Sequence, residues 1–443
     1  MKKYQSYKPS GVEWIGEIPS GWISSKLKFI LKRIVTGGTP DTSNDNYWSD
    51  DNGGYNWISI SDMTSNPNGI EDTKKKITFS GFESKRLELL PIDTIIYSIY
   101  GSIGKVNRLK IESTIHQGIL GLFPNSRIES KYLEFYLKYI QYFVNVLSSS
   151  NTQENLNLDK VKNIGIVIPP LHEQSQIVQF LNSKTELIDK LISTKERKIT
   201  LLKEQRTSLI NQVVTKGLNP SVKMEDSGVE WIGEIPEGWI KSKLKYKSKI
   251  IGRIGYRGYT VEDLVEEGQG VITLSPSNIV DGELNLEKRT FLSFEKYYES
   301  PEIILEHNDI VYVQRGSTIG KSTIIPLNHP EMTINPQLVI LKKFDCVPRF
   351  IYYFMKSEVI GIQTSNQISG GSTPLITQNS VENFIIVLPK TKQEQTLIVE
   401  YLDSKTKKID DLVQLEQKKI DLLKEYRQSL ISEVVTGKIK VTE

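Results

Sequence analysis

The sequence of 443 residues has little cysteine and no long apolar run, which are the features of disulfide-bonded, metal-binding and membrane-spanning proteins. Its single cysteine, Cys346, excludes an internal disulfide and a cysteine-rich metal site. No run reaches the ~18 apolar residues of a membrane span, and the N-terminus lacks the apolar stretch of a signal peptide. Because the net charge is only +3, any surface that binds a polyanion must be a local one. We expect a cytoplasmic protein with two or more domains, because the length exceeds one ordinary core.

The sequence also lacks a recognisable catalytic site. Residues 316–322 resemble a phosphate-binding loop, but three residues separate the glycines where the motif needs four. The four histidines show no metal-ligand spacing, and no methyl-donor motif is present. Asp41, Glu83 and Lys85 could form a nuclease pattern, although the second half of the chain offers no counterpart. We therefore expect no catalytic residue and no metal site.

Two blocks of sequence each occur twice in the chain. Residues 10–19 recur unchanged at residues 227–236, an offset of 217, and a block beginning at Leu181 recurs from Leu402, an offset of 221. The blocks enclose two divergent middles, residues 30–165 and 247–385, rich in short runs of Ile, Val, Tyr and Thr broken by turn residues. This composition predicts mainly β structure with long loops. A constant frame around divergent inserts suggests a scaffold that presents two different binding surfaces.

The second block predicts a long helix in each copy. From Glu173 to Val214 there is no proline or glycine, and an apolar residue recurs once per heptad except at Lys195, where the second copy has Glu416. Such a helix is about 63 Å long, and two of them most simply pair antiparallel. We hypothesise that Lys195 and Glu416 form a charge pair that sets the register; alternatively, both side chains extend to solvent. The predicted helix-pairing residues are Leu181, Ile188, Leu191, Lys195, Leu202, Leu209, Leu402, Ile409, Leu412, Glu416, Leu423 and Leu430.

The loops of both middles are dense in side chains suited to nucleic acid. Gln, Asn, Arg and Ser reach base edges, whereas Lys, Thr and N–H groups near glycine position phosphates. Any β-rich domain has polar loops, but corresponding sets in two domains favour recognition, for example Gln117 and Gln337 after Gly104 and Gly320. The candidate DNA-binding residues of the first domain are Gly37, Gly38, Thr39, Ser59, Ser61, Asp62, Lys74, Lys75, Lys76, Tyr97, Tyr100, Ser102, Lys105 and Gln117. Those of the second are Arg253, Tyr256, Arg257, Tyr259, Ser275, Ser277, Asn278, Arg289, Gln314, Arg315, Ser317, Thr318, Lys321 and Gln337.

The order of two variable domains and two constant helices resembles the specificity subunit of type I restriction-modification systems. Residues 168–174, Ile-Pro-Pro-Leu-His-Glu-Gln, resemble the family's junction between a target-recognition domain and its helix. Residues 37–40 and 103–105 resemble further family motifs, whereas the second junction, from Leu388, lacks the double proline. The resemblance implies an α+β fold with two mainly-β target-recognition domains, each followed by a long helix, the two helices forming an antiparallel coiled coil. The implied boundaries are 1–170, 171–216, 217–390 and 391–437.

The resemblance also implies a function and partners. Each domain would read one half of a bipartite target in double-stranded DNA, and the helices would set the spacer and dock two methyltransferase subunits. Two restriction and translocase subunits would join this complex. S-adenosylmethionine, ATP and magnesium would be bound by those partner subunits and not by this chain. The open alternatives are a stand-alone dimeric DNA-binding protein and a nuclease in its own right.

Overall fold

The computed structural model describes residues 2–49, 53–66, 69–149, 156–253, 255–369 and 374–441. The chain divides into two compact units. Unit 1 comprises Met1–Lys195 with Lys418–Glu443, and unit 2 comprises Glu196–Gln417. Unit 1 therefore contains residues near both ends of the chain, and they are in contact: the N–H of Lys440 donates to the carbonyl of Lys2 at 2.9 Å. Each unit holds one mainly-β domain and segments of both long helices.

Unit 1 contains twelve described strands. They are β1 Tyr7–Pro9, β2 Glu17–Pro19, β3 Ile23–Lys26, β4 Leu31–Thr36, β5 Trp48–Ser49, β6 Tyr55–Ile58, β7 Lys75–Ile77, β8 Ile95–Ser98, β9 Val106–Arg108, β10 Thr114–Ile115, β11 Ile119–Pro124 and β12 Gly165–Ile168. Its helices are α1 Ile60–Ser65, α2 Phe79–Ser84, α3 Ser130–Ser149, α4 Leu158–Asn163, the start of α5 Leu171–Lys216 and the end of the second long helix, Lys392–Val435.

Two four-stranded sheets form the domain of unit 1. One has the order β4-β11-β8-β9 and is antiparallel, and the other has the order β10-β6-β7-β5 with a parallel pair β10-β6. Strands β8 and β11 are buried almost throughout, because helix α3 and the second sheet cover their two faces. Tyr132 and Tyr136 of α3 are fully buried in the main core. Their burial explains the apolar spacing of this helix.

Unit 2 contains fourteen described strands. They are β13 Met224–Asp226, β14 Glu234–Pro236, β15 Ile240–Lys243, β16 Lys249–Gly252, β17 Leu264–Val265, β18 Gly270–Leu274, β19 Ile279–Val280, β20 Glu283–Leu284, β21 Phe291–Ser293, β22 Ile310–Val313, β23 Ser322–Ile324, β24 Met332–Ile334, β25 Leu338–Lys342 and β26 Ile385–Leu388. Its helices, besides the end of α5, are α6 Phe294–Tyr298, α7 Pro348–Met355, α8 Glu358–Gln367, α9 Gln378–Glu382 and most of α10 Lys392–Val435.

The four-stranded sheets of the two domains have the same topology despite the divergent sequences. The orders β16-β25-β22-β23 and β24-β18-β21-β17 repeat those of unit 1 strand for strand, including the parallel pair β18-β24. The predicted α+β fold with two mainly-β domains is confirmed. Among the described helices, none is long and apolar enough to cross a membrane.

The same side chains fix the start of each long helix. Trp22 donates from Nε1 to Glu173 at 3.0 Å, and Trp239 does so to Glu394 at 3.0 Å. The amide of Gln174 donates to the carbonyl of Pro169 at 2.8 Å, and that of Gln395 to the carbonyl of Pro389 at 2.9 Å. The second junction therefore has the same geometry as the first, although it lacks the double proline.

Within each unit the two helix segments run antiparallel. In unit 1, Arg427 Nε binds Asp189 Oδ1 at 2.8 Å. In unit 2, Lys198 Nζ binds Glu416 Oε1 at 2.9 Å and Arg206 Nε binds Asp410 Oδ1 at 2.9 Å. In unit 2 the residue number thus falls along one helix as it rises along the other. In unit 1 the Tyr132 hydroxyl donates to the carbonyls of Val167 and Val435 at 3.0 and 3.1 Å, so the end of the second helix lies near the start of the first, as an antiparallel pair requires.

The predicted helix-pairing residues divide into buried and exposed sets. Leu181, Ile188, Leu402, Ile409 and Leu430 are buried, and Leu202, Leu209 and Leu423 are partly buried. Leu191 and Leu412 are instead 50% and 41% exposed, so these two do not pack inside the helix pair. Glu416 is 2% exposed, which overturns the alternative that it extends to solvent. Its predicted pairing with Lys195, a residue of unit 1, stays a prediction.

Candidate nucleic-acid interface

In unit 1 the Ser-x-Ser-Asp segment forms the cap of helix α1. The Ser59 hydroxyl accepts from the N–H of Asp62, and the Asp62 carboxylate accepts from the N–H of Ser59 at 2.9 Å. This capping box leaves Asp62 only 1% exposed, and the N–H of Lys74 also donates to it at 3.3 Å. The hydroxyls of Ser59 and Ser61 lie 2.8 Å apart at the surface.

In unit 2 the Ser-Pro-Ser-Asn segment builds the same structure on the short 3-10 helix Pro276–Asn278. The Asn278 amide oxygen accepts from the N–H of Ser275 at 2.9 Å, and its nitrogen donates to the carbonyls of Asn285 and Lys288 at 3.0 and 2.7 Å. Asn278 is 4% exposed. The hydroxyls of Ser275 and Ser277 again lie 2.8 Å apart. The two units thus present one hydroxyl pair each in matching geometry.

A tight turn follows the parallel partner strand in each unit. In unit 1 the N–H of Gly118 donates to Nδ1 of His116 at 2.9 Å, and in unit 2 the N–H of Gln337 donates to Oδ1 of Asn335 at 2.9 Å. Partial burial lowers the pKa of His116, which favours the neutral ring that can accept this bond. The structural counterpart of Gln337 is therefore Gly118, and the expected match between Gln117 and Gln337 is wrong by one residue.

A hairpin with an exposed tip completes the arrangement. Strands β8 and β9 are joined through Tyr100 and Ser102, and strands β22 and β23 through Arg315 and Ser317. Tyr100 is 56% exposed, and the other three side chains are also exposed. Lys321 is exposed and Lys105 partly so. Both hairpins turn on glycines with positive φ, at Gly101, Gly104, Gly316 and Gly320.

Backbone hydrogen bonds bring cap, turn and hairpin together at one end of each domain. The bonds of unit 1 run from Ile99 N to Gly118 O at 2.8 Å and from His116 N to Ile58 O at 2.9 Å. Those of unit 2 run from Gln314 N to Gln337 O at 2.9 Å and from Asn335 N to Leu274 O at 2.9 Å. Each domain therefore carries one surface, here called the tip surface, formed by its cap, turn and hairpin.

Several predicted site residues lie inside the fold and not on a tip surface. Tyr97 is fully buried, which raises the pKa of its phenol, and Arg253 is 8% exposed with Nε donating to the carbonyl of Ile334 at 3.1 Å. A Cβ on Gly37 would lie 2.1 Å from the carbonyl oxygen of Ile115, so this glycine permits a close backbone approach. Gly38 accepts from Trp57 Nε1 at 2.9 Å, and the Thr39 hydroxyl is buried.

The remaining predicted residues lie at the surface or beside acidic partners. Lys74 and Lys75 are exposed, as is Gln117, while Lys76, Thr318 and Tyr259 are partly buried. Arg257 binds Glu302 at 3.5 Å and Arg289 binds Glu267 at 2.7 Å. The side chain of Tyr256 lies outside the described residues. Contact with DNA stays a prediction for every residue of both sets.

Two residues of the nuclease pattern, Asp41 and Lys85, lie close enough to interact electrostatically. The Asp41 carboxylate, on the surface, accepts from the N–H and the hydroxyl of Ser43 at 2.9 and 2.8 Å, and these bonds lower its pKa. Within the described ranges, no three His, Cys, Asp or Glu side chains lie close enough to hold a metal ion.

The sequence matches one protein family over most of its length. The type I restriction modification DNA specificity domain matches residues 19–201 and 286–425. A putative type I restriction enzyme MjaX specificity subunit of Methanocaldococcus jannaschii is 27% identical over 453 residues, covering 96% of each chain. The MjaVIII specificity subunit of the same organism is 26% identical over 322 residues, covering 72% of each chain.

Solved structures share the fold. A chain from a structure of the complex assembly and conformational transition of the type I R-M system has a TM-score of 0.70 at 17% identity, covering 95% of this chain and 99% of that chain. The HsdS subunit from Thermoanaerobacter tengcongensis has a TM-score of 0.50 at 17% identity, covering 95% and 98%. The chain belongs to the family of type I restriction-modification specificity subunits, the DNA-recognition components of these systems.

Proposed function

We propose that each unit reads one half of a bipartite DNA target through its tip surface. The supporting observation is that the two units place different exposed side chains on one backbone frame. Tyr100 and Ser102 stand in unit 1 where Arg315 and Ser317 stand in unit 2, while the hydroxyl pairs of the two caps have the same geometry. Phosphate contacts position a protein on DNA and base contacts specify the sequence. The matched hydroxyls suit the first role and the divergent hairpin tips the second.

The long helices act as the spacer between the two half-sites. One arginine–carboxylate pair in each unit, Arg427–Asp189 in unit 1 and Arg206–Asp410 in unit 2, holds the register of the helix segments there. A few base contacts per unit give useful specificity only when both units engage at once. Inserting seven residues after Lys195 should change the gap between the half-sites and leave their bases unchanged.

The partners of this chain are two methyltransferase subunits, later joined by two restriction and translocase subunits. Leucines at equivalent positions of the two helices remain uncovered in the single chain. Leu191 and Leu412 are 50% and 41% exposed, and Leu201 and Leu422 are 55% and 54% exposed. Uncovered apolar side chains on a helix favour a protein partner. Their recurrence at the repeat offset of 221 favours two copies of the same partner.

The chain contributes recognition and no chemistry to the complex. S-adenosylmethionine, ATP and magnesium bind to the partner subunits, and cleavage and methylation occur there. This division of labour is supported by the absence of methyl-donor and nucleotide motifs from the sequence. Because the target is chromosomal or incoming DNA, the complex works in the cytoplasm.

The experiment that tests this function exchanges one middle segment. Replacing residues 30–165 with the corresponding segment of another family member, and assembling the product with the methyltransferase subunit, should alter one half of the selected DNA target. The other half and the gap should persist. A change in both halves would contradict the assignment of one half-site to each unit.

A further inference from the structure

Most arginines of unit 2 already have a partner inside the protein. Four of the seven bind a carboxylate: Arg206 with Asp410, Arg257 with Glu302, Arg289 with Glu267 and Arg349 with Asp403. Arg253 is buried against the carbonyl of Ile334, and Arg197 lies on helix α5, outside the β domain. Arg315 alone among them is exposed at the tip surface, and no carboxylate of the described residues pairs with it.

The backbone around Arg315 is held on both sides. The N–H of Gln314 donates to the carbonyl of Gln337 at 2.9 Å, and the N–H of Gly316 donates to the carbonyl of Pro374 at 3.0 Å. Arg315 itself forms a β-bridge with Leu375. The backbone of Arg315 is thus held in place beside the turn and the cap, and its long cationic side chain extends from there. Pre-organised donors lose less entropy on binding than donors on a free loop.

We propose that Arg315 reads a guanine in the half-site of unit 2, an inference that rests on the proposed function. A two-stranded β ribbon fits the major groove, where guanine presents O6 and N7 as two acceptors side by side. The planar guanidinium donates two parallel hydrogen bonds to this pair, which is the commonest base-specific contact in protein–DNA complexes. Tyr100, at the equivalent place in unit 1, has a single hydroxyl and cannot make this double contact. This contact is therefore specific to the half-site of unit 2.

A selection of DNA duplexes with randomised half-sites tests this proposal. The protein is assembled with the methyltransferase subunit, and the chain is used as wild type, Arg315→Gln, Arg315→Lys and Arg197→Gln. We expect Arg315→Gln to lose roughly 5- to 150-fold of the preference for guanine at one position of one half-site. The other half-site and the gap should be retained, which also shows that the variant is folded. Arg315→Lys keeps the charge but lacks the planar pair of donors, so it should lose part of that preference.

Arg197→Gln is the matched control, because it removes an exposed arginine of the same unit outside the tip surface. Its base preferences should equal those of the wild type. The proposal is overturned if Arg315→Gln weakens binding to every sequence equally and reduces the salt dependence by about one phosphate contact. It is also overturned if Arg315→Gln selects the wild-type motif unchanged. A wild-type complex that selects no bipartite motif would instead contradict the proposed function itself.

Discussion

Glu134 should couple the stability of unit 1 to pH. Its carboxylate is 4% exposed and binds three cations, with Lys138 Nζ at 2.8 Å, Arg108 Nε at 2.9 Å and Lys131 Nζ at 3.0 Å. Burial alone raises the pKa of this carboxyl. Lys138, Lys131 and Arg108 outweigh that effect and lower the pKa to about 2, from an ordinary value of 4.5.

This difference in pKa translates into a free energy of unfolding. A shift of about 2.5 pH units corresponds to about 3 kcal/mol of stability at neutral pH. Because the pKa is lower in the folded state, the contribution is complete above about pH 5 and is lost as the pH falls towards 2. By the same linkage, about 1 kcal/mol should remain at pH 3.

The assay is urea unfolding of the wild type and Glu134→Gln at pH 7 and at pH 3. The free-energy difference between them should shrink by about 2 kcal/mol at the lower pH. Glu88→Gln is the control, since Glu88 is 42% exposed and pairs with Arg33 at the surface, where such pairs contribute less than about 1 kcal/mol. A difference for Glu134→Gln that is the same at both pH values would refute the reasoning.

Five further substitutions test the caps, the close backbone approach and the partner surface. Asp62→Ala and Asn278→Ala should each destabilise their own unit by roughly 2–4 kcal/mol in urea unfolding, because buried N–H or C=O groups lose their partners. Gly37→Ala should destabilise unit 1 by about 1–3 kcal/mol, because its methyl group meets a backbone carbonyl; a fully stable variant would contradict that geometry. Leu191→Glu and Leu412→Glu should leave unfolding unchanged and each weaken one of two methyltransferase sites in calorimetric titration; unchanged stoichiometry and affinity would argue against this surface.

The frame of the molecule could be predicted from the sequence because its signals are local. The heptad pattern and the absence of proline and glycine predict both long helices, which the structure places at Leu171–Lys216 and Lys392–Val435. The capping boxes also have a local signature, a serine three residues before Asp62 or Asn278. That signature could have identified both residues as caps and not as DNA-binding residues.

Whether the other predicted DNA-binding and helix-pairing residues are buried or exposed depends on contacts between segments far apart in sequence. It could therefore not be predicted. Tyr97 and Arg253 look like surface residues in sequence but are buried by strands and turns far along the chain. The match of Gln337 with Gly118 follows from backbone hydrogen bonds, whereas the shared residue type suggested Gln117. The exposure of Leu191 depends on which edge of the apolar stripe faces the partner helix. The heptad pattern does not determine that edge.

We expect this chain to select the DNA sequence on which a type I restriction-modification complex acts. A map of adenine methylation across the host genome, with and without the gene for this chain, tests it most directly. One bipartite motif should lose methylation when the gene is removed and regain it when the gene is restored. An unchanged map, in cells where the methyltransferase subunit is produced, would contradict the account.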